Sequence, residues 1–226
     1  IHEVNPAANK ARETVRKRWG ADAIERFGIG YAPRDGFIEW AMRKGLDFDL
    51  LEQVGLIGIG ERGKYAMLRD RYTIPIYDKM SNVIGFTART MSDDKDICKY
   101  LNLKNSLVYA KDKSVFGINF AQKEARLKNK FYLVEGAPDV VKLQSIEILN
   151  TVASLGGAWT ENQLKQLYHI SHTVTFIPDA DTLKPGNEWP AGTANVFANG
   201  REALAAGFTV NVREIPIDYP APKKED

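Results

Sequence analysis

Residues 131–141 read FYLVEGAPDVV, and residues 175–181 read TFIPDAD. Each segment is an apolar, β-branched and aromatic run that ends abruptly in acidic residues, as buried parallel strands do when they place carboxylates at the C-terminal edge of a sheet. Gly136 permits a tight exit from the first strand, and Pro138 suits the first turn of a following helix. The two segments therefore predict an α/β sheet with acidic groups gathered at one edge.

Four acidic residues follow these two strands. Asp139 lies four residues after Glu135, and Asp179 and Asp181 are two apart, so both aspartates point the same way in an extended segment. Carboxylates that converge without a basic partner repel one another, and a divalent cation such as Mg²⁺ or Mn²⁺ relieves this and usually also holds phosphates. For Glu135 alone, stabilisation by the dipole of the following helix is the alternative. Asp139 suits a cap or a supporting role as well as direct ligation.

The composition bounds the class of protein. A chain of 226 residues, 44% of them hydrophobic, buries roughly 70% of its unfolded surface and forms one or two domains. One cysteine, Cys98, and three scattered histidines exclude a disulfide framework and a structural zinc site. No apolar run approaches the roughly 18 residues of a membrane span. We expect a cytoplasmic protein, and the initial Ile1 suggests a fragment of a longer one.

Charge is distributed unevenly along the chain. Residues 1–130 carry 24 Lys and Arg against 17 Asp and Glu, a balance of +7, whereas residues 131–226 carry 7 against 12, a balance of −5. This asymmetry is typical of a metal-dependent enzyme that acts on a polyanion, although chance surface composition explains it equally well. It predicts a basic domain over 1–130 and an acidic one over 131–226.

Hydrophobic periodicity predicts two kinds of organisation. The first half contains short helices at 7–19, 21–27, 36–44 and 48–54, strands at 72–77 and 83–89, and a helix at 119–128. The second half alternates strands at 131–135, 150–155, 173–178 and 208–215 with helices at 139–147, 160–168 and 192–206. Such βα alternation with short connections predicts a parallel sheet.

Residues 58–64, GIGERGK, match two phosphate-loop patterns, GxGxxG and GxxxxGK. Both patterns require a strand before the loop and a helix after it, whereas a helical segment precedes this one and a β-rich segment soon follows. Tyr65 also stands where Ser or Thr would ligate Mg²⁺. We therefore predict a glycine-rich hairpin or linker.

Six segments occur in an order that resembles a known family: 27–33, 69–76, 85–89, 99–102, 134–141 and 152–156. Together they resemble the RNA-polymerase domain of bacterial or phage DnaG-type primases, which have a TOPRIM fold. The resemblance implies an α+β N-terminal subdomain over 1–130, followed by a Rossmann-like TOPRIM parallel sheet with flanking helices over 131–226. It also implies that the TOPRIM domain is truncated at its C-terminus and that zinc-binding and helicase-binding modules are missing.

The resemblance implies DNA-dependent synthesis of RNA primers. Two or more Mg²⁺ or Mn²⁺ ions would be held by Glu135, Asp179 and Asp181, with Asp139 in support. The residues implied to line the nucleotide groove are Arg89, Lys99, Asn102 and Lys111, with Arg69 and Arg71 near nucleotide or template. The implied partners are a single-stranded DNA template, NTPs, the nascent RNA primer and a replicative helicase.

The chain departs from the family pattern at three places. Ala137 stands where an aromatic residue is usual, Ala180 stands where glycine is usual, and residues 182–190 are inserted after the aspartates.

Two other functions are alternatives to primer synthesis. A TOPRIM nuclease, which would degrade single-stranded DNA without NTPs, is the first alternative. A non-catalytic module that docks on replication proteins, and binds neither cations nor nucleotides, is the second. The charges of Arg89 and Lys99 are also explained as solvated groups at a strand edge.

Overall fold

The computed structural model describes residues 6–181, 186 and 188–213. The chain divides into two compact units, residues 1–114 with 145–147, and residues 115–144 with 148–226. The second unit thus begins at Val115, before the boundary predicted at Phe131. Residues 182–185 and 187 of the predicted insertion and the predicted truncated end, residues 214–226, lie outside the described residues.

The first unit combines short helices with a mainly antiparallel β-structure. Its elements are α1 Pro6–Trp19, α2 Asp22–Phe27, β1 Gly30–Ala32, α3 Phe37–Arg43, α4 Phe48–Gln53, β2 Ile57–Gly60, β3 Gly63–Ala66, β4 Arg71–Tyr77, β5 Val83–Thr90 and β6 Tyr100–Asn102. One sheet has the order β1-β4-β5-β6, with antiparallel neighbours. Leu68, Ala88 and Leu103 form a small core on this sheet, and β4 is buried along nearly its whole length.

The segment that resembles a phosphate loop is a β-hairpin, as the sequence predicts. Strands β2 and β3 pair antiparallel from Ile57↔Ala66 to Gly60↔Gly63. The glycine pattern has a packing reason, because a Cβ atom on Gly58 would lie 2.6 Å from the Tyr65 ring. Gly58 therefore makes room for Tyr65 across the hairpin rather than for a phosphate.

The second unit is the predicted βα repeat. Its elements are β7 Val115–Phe116, α5 Ile118–Lys128, β8 Phe131–Val134, α6 Ala137–Ser145, β9 Thr151–Ser154, α7 Glu161–Tyr168, β10 Thr173–Phe176, α8 Ala191–Ala205 and β11 Thr209–Val212. The sheet order is β11-β10-β8-β9-β7. Strands β8, β9, β10 and β11 pair parallel with one another, which confirms the predicted parallel sheet, and helices α5, α7 and α8 pack on it through one buried apolar cluster.

The short strand β7 explains the earlier start of the second unit. Val115 and Phe116 pair antiparallel with Ser154 and Ala153 of β9, at one edge of the sheet. Both residues are almost fully buried. Two residues are too few to give a periodic signal in the sequence, so the prediction placed them in the N-terminal domain.

Strand β10 is shorter than predicted. It ends at Phe176 instead of Pro178, and the amide of Asp181 donates a hydrogen bond to the carbonyl of Asp179 at 2.9 Å. The backbone therefore turns between the two aspartates. The predicted extended backbone between these two residues is wrong.

Candidate functional site

Glu135 and Asp179 meet at the carboxyl edge of the parallel sheet. Glu135 follows the last residue of β8, and Asp179 lies three residues after the end of β10, the neighbouring strand. The Glu135 Oε1 atom accepts a hydrogen bond from the Asp179 amide at 3.3 Å. The predicted convergence of acids from separate strands is thus present for this pair.

The charges at this edge destabilise the ionised form of Glu135. Its pKa is raised above the usual value, first by burial and then by the negative charge of Asp179, with smaller contributions from Asp181 and Asp139. The hydrogen bond from the Asp179 amide acts in the opposite direction. All four predicted carboxylates therefore share one electrostatic environment.

The pKa of Asp179 is raised as well. The residue as a whole is exposed, but atoms packed around the carboxyl group remove part of its hydration, and the charge of Asp181 adds to this effect. Glu135 and Asp179 consequently bind protons more tightly than isolated carboxylates do. A cation placed between them would stabilise the ionised form of both.

Asp139 supports the loop that carries Glu135. It lies in the first turn of α6, and its Oδ2 atom accepts a hydrogen bond from the Gly136 amide at 3.1 Å. This hydrogen bond fixes the backbone where it leaves β8. It is the capping role, one of the alternatives that the sequence left open for Asp139. Its carboxylate still adds to the negative potential at Glu135.

Helix α8 approaches the two carboxylates through Gly192, a residue that the sequence analysis missed. A Cβ atom at this position would lie 2.8 Å from the Asp179 carbonyl oxygen and 2.9 Å from Glu135 Oε1. Only glycine lets the N-terminal turn of the helix come this close. The partial positive charge of that turn then faces the acids and offsets part of their repulsion.

The donor set fits a hard divalent cation in its chemistry. Carboxylate oxygens on two neighbouring strands, with raised pKa values and no basic partner in the motif, are the ligands that Mg²⁺ and Mn²⁺ prefer. In the described part of the chain, however, no three His, Cys, Asp or Glu side chains are arranged to share one ion.

The six predicted nucleotide-binding or template-binding residues all belong to the first unit. Arg89 and Asn102 lie on one face of its sheet, since Arg89 pairs with Tyr100 and Asn102 pairs with Thr87, two residues along the same strand. Lys99 is exposed in the turn before β6, and Lys111 is exposed further along the chain. Arg69 is exposed too and lies over the Tyr65 ring, 5.8 Å from its centroid.

Comparison with known proteins identifies the family of the chain. The family model for the N-terminal domain of the DNA primase catalytic core matches residues 4–122, more than half of the chain. The chain belongs to the DnaG-type DNA primases. The resemblance inferred from the six sequence segments is thereby confirmed.

Relatives extend the similarity over both units. The DNA primase of Clostridium acetobutylicum is 33% identical over 195 residues, covering 85% of this chain and 31% of that protein. Aquifex aeolicus primase, solved with its zinc-binding and RNA polymerase domains, has a TM-score of 0.82 and 30% identity, covering 93% of this chain and 50% of that one. A DnaG catalytic domain solved bound to single-stranded DNA has a TM-score of 0.80 and 29% identity, covering 95% and 66%. The chain spans about a third of the length of the curated primases it matches.

Arg71 is buried against backbone carbonyl groups of the first unit. It is only 7% exposed, and its Nη1 atom donates a 2.9 Å hydrogen bond to the Cys98 carbonyl, with longer contacts to the Lys99 and Ala88 carbonyls at 3.4 and 3.5 Å. Burial lowers its pKa. These contacts give Arg71 a structural role, in which it fastens the segment before β6. Its place near nucleotide or template stays a prediction.

Replacing Arg71 by methionine tests this role. The variant keeps an apolar stem but leaves the Cys98 carbonyl without its donor, so we expect the free energy of unfolding to fall by about 1–3 kcal/mol. Urea denaturation measures the change, and Arg69→Met, at an exposed site, should stay within about 0.5 kcal/mol of the parent. Equal stability of the two variants would argue against the fastening role.

One further observation concerns membranes. Among the helices that the structure describes, none combines the length and the apolar character that crossing a bilayer requires.

Proposed function

We propose that this chain is the catalytic part of a DNA primase that joins ribonucleotides on a single-stranded DNA template. The observation that carries the proposal is the meeting of Glu135 and Asp179 at one edge of the sheet, where Asp181 and Asp139 add to the charge around Glu135. Membership in the primase family supports it, as does the single-stranded DNA bound to a related catalytic domain. The proposed partners are the DNA template, NTPs, the RNA primer and a replicative helicase, in the cytoplasm.

The proposed division of labour follows the two units. Glu135, Asp179 and Asp181 would hold two or more Mg²⁺ or Mn²⁺ ions, and Asp139 would keep the Glu135 loop in place. Bound ions would lower the pKa of an attacking 3′-hydroxyl and neutralise the leaving pyrophosphate. Arg89, Lys99, Asn102 and Lys111 would bind the triphosphate and ribose, because guanidinium and ammonium groups suit phosphate oxygens and an amide suits a sugar hydroxyl.

Addition of labelled ribonucleotides to an RNA primer annealed to a DNA template tests the proposal. The annealed primer bypasses initiation, so the assay measures extension alone. With Mn²⁺ or Mg²⁺ present, we expect template-directed extension by the parent chain and a loss of roughly a hundredfold or more in Asp179→Asn. Glu188→Gln, outside the four carboxylates, serves as the control.

Two results would contradict the proposal. Degradation of single-stranded DNA with Mn²⁺, without any NTP requirement, would indicate a nuclease that uses the same carboxylates. Failure to bind either divalent cations or nucleotides in calorimetric titration would indicate a non-catalytic docking module.

A further inference from the structure

Arg89 lies between two tyrosines on neighbouring strands. Tyr72 of β4, Arg89 of β5 and Tyr100 of β6 are directly opposite one another in the register of the sheet, so their side chains share one face. The guanidinium carbon is 6.0 Å from the centroid of each tyrosine ring. Both contacts are at the distance of a cation–π interaction.

The tyrosines are themselves fixed by packing. Tyr72 is 1% exposed, and its ring meets the Trp19 ring edge-on, with centroids 5.8 Å apart and an interplanar angle of 89°. Tyr100 is half-buried, and Arg71 fastens the backbone just before it through the Cys98 carbonyl. The two rings therefore restrict where the Arg89 guanidinium can lie.

The positive charge of Arg89 is not cancelled by this arrangement. Within the described residues, Arg89 has no carboxylate partner, and its Nε atom is inaccessible to solvent without a hydrogen-bond acceptor. Tyr100 is neutral at neutral pH, burial raises its pKa further above the usual value, and the guanidinium carbon lies over its ring. An arginine held by neutral rings keeps its terminal N–H groups available for an anion.

We infer that Tyr72 and Tyr100 are positioning residues that orient Arg89 toward the phosphate oxygens of the incoming nucleotide. The inference rests on the proposed function, and it specifies how that function obtains a preorganised arginine. Two rings replace the carboxylate that usually orients an arginine, which leaves the full charge of the guanidinium for the ligand.

Substitution at Tyr100 tests the inference, since this half-buried residue tolerates change better than Tyr72. In calorimetric titrations of ATP with Mn²⁺, Tyr100→Leu should weaken binding roughly three- to thirtyfold, the range of a cation–π contact. Tyr100→Phe keeps the ring and should stay within about twofold of the parent. Far-UV circular dichroism checks folding, and Tyr100→Met provides the same comparison if the leucine variant does not fold.

A double-mutant cycle with Arg89→Gln separates orientation from a general structural effect. If Tyr100 acts through Arg89, Tyr100→Leu will cause no further loss of ATP affinity in the Arg89→Gln background. Primer extension should show a raised KM for NTP with little change in kcat.

The outcomes distinguish this inference from the proposed function. Unchanged ATP affinity in Arg89→Gln would remove Arg89 from the nucleotide site and contradict the proposed function at that residue. The positioning role alone would be overturned if Arg89→Gln binds ATP more weakly but Tyr100→Leu keeps the affinity of the parent. Additive losses of ATP affinity in the double variant would overturn it as well.

Discussion

Replacing Gly192 by alanine is expected to weaken divalent-cation binding at least tenfold and to lower the free energy of unfolding by about 1–3 kcal/mol. The added Cβ would lie 2.8 Å and 3.1 Å from the backbone oxygen and nitrogen of Asp179, and 2.9 Å from Glu135 Oε1. Backbone atoms yield less easily than the end of a flexible side chain. Either α8 moves away from the sheet edge, or Glu135 and Asp179 lose their mutual geometry, and both changes disturb the acids.

Gly200 provides a matched control in the same helix. A Cβ atom at Gly200 would meet only Val210 Cγ1, at 3.8 Å, which is an ordinary contact. Gly200→Ala should therefore leave stability unchanged or raise it by up to about 1 kcal/mol, because alanine favours the helix. Manganese titration followed by electron paramagnetic resonance, together with urea denaturation, compares the two variants. Parent-like Mn²⁺ affinity in Gly192→Ala would refute the close-approach argument.

Replacing Glu135 by glutamine is expected to abolish tight cation binding while stabilising the cation-free protein. Glutamine keeps an oxygen that can accept the hydrogen bond from the Asp179 amide, but it removes a charge that Asp179, Asp181 and Asp139 repel. The gain in stability should be below about 1 kcal/mol, because solvent screens the partly exposed carboxylates. A residue that lowers stability in the absence of its ligand is typical of a functional site.

The gain in stability of Glu135→Gln over the parent should increase with pH. Since the pKa of Glu135 is higher in the folded than in the unfolded protein, the unfolded chain loses this proton first as pH rises. The parent then loses stability between the unfolded pKa, about 4.3, and the raised folded value, and the deficit is complete above it. Glu135→Gln lacks this titration, so its advantage should grow over that interval.

Glu161→Gln is the control with the opposite sign. Glu161 lies 2.6 Å from Lys165, and this hydrogen-bonded ion pair lowers its pKa. Its replacement should slightly reduce stability at neutral pH and leave cation binding intact. If both glutamine variants lose stability equally in urea denaturation at neutral pH, the repulsion assigned to Glu135 is refuted.

The sequence was sufficient to predict the parallel sheet and its acidic edge, because buried strands and their acidic ends have a direct local signature. Runs such as 131–134 and 173–176 are apolar and β-branched, and neighbouring parallel strands bring the residues after their C-terminal ends to the same edge of the sheet. Glu135 and Asp179 were placed together by this rule. The turn between Asp179 and Asp181 was not predictable, since it depends on a local backbone hydrogen bond beyond the end of the strand.

The contrast between Arg71 and Arg89 shows why the basic residues were harder to predict. Both are arginines on neighbouring strands, yet Arg71 is buried against backbone carbonyls, whereas Arg89 lies on the opposite face between two tyrosines. Alternation along β4 and β5 determines the face of each residue, but the neighbours on that face come from β6 and α1. The sequence did contain a signal for the two rings that hold Arg89, because a tyrosine follows directly after Arg71 and another directly after Lys99.

Carboxyl ¹³C NMR of Glu135 and Asp179, followed over pH with and without Mg²⁺, tests most directly whether acids from two strands share a cation. Without Mg²⁺, both groups should titrate above the usual pKa of a glutamate or an aspartate, and with saturating Mg²⁺ both pKa values should fall together. Ordinary pKa values for both carboxyl groups, unaffected by Mg²⁺, would contradict the account.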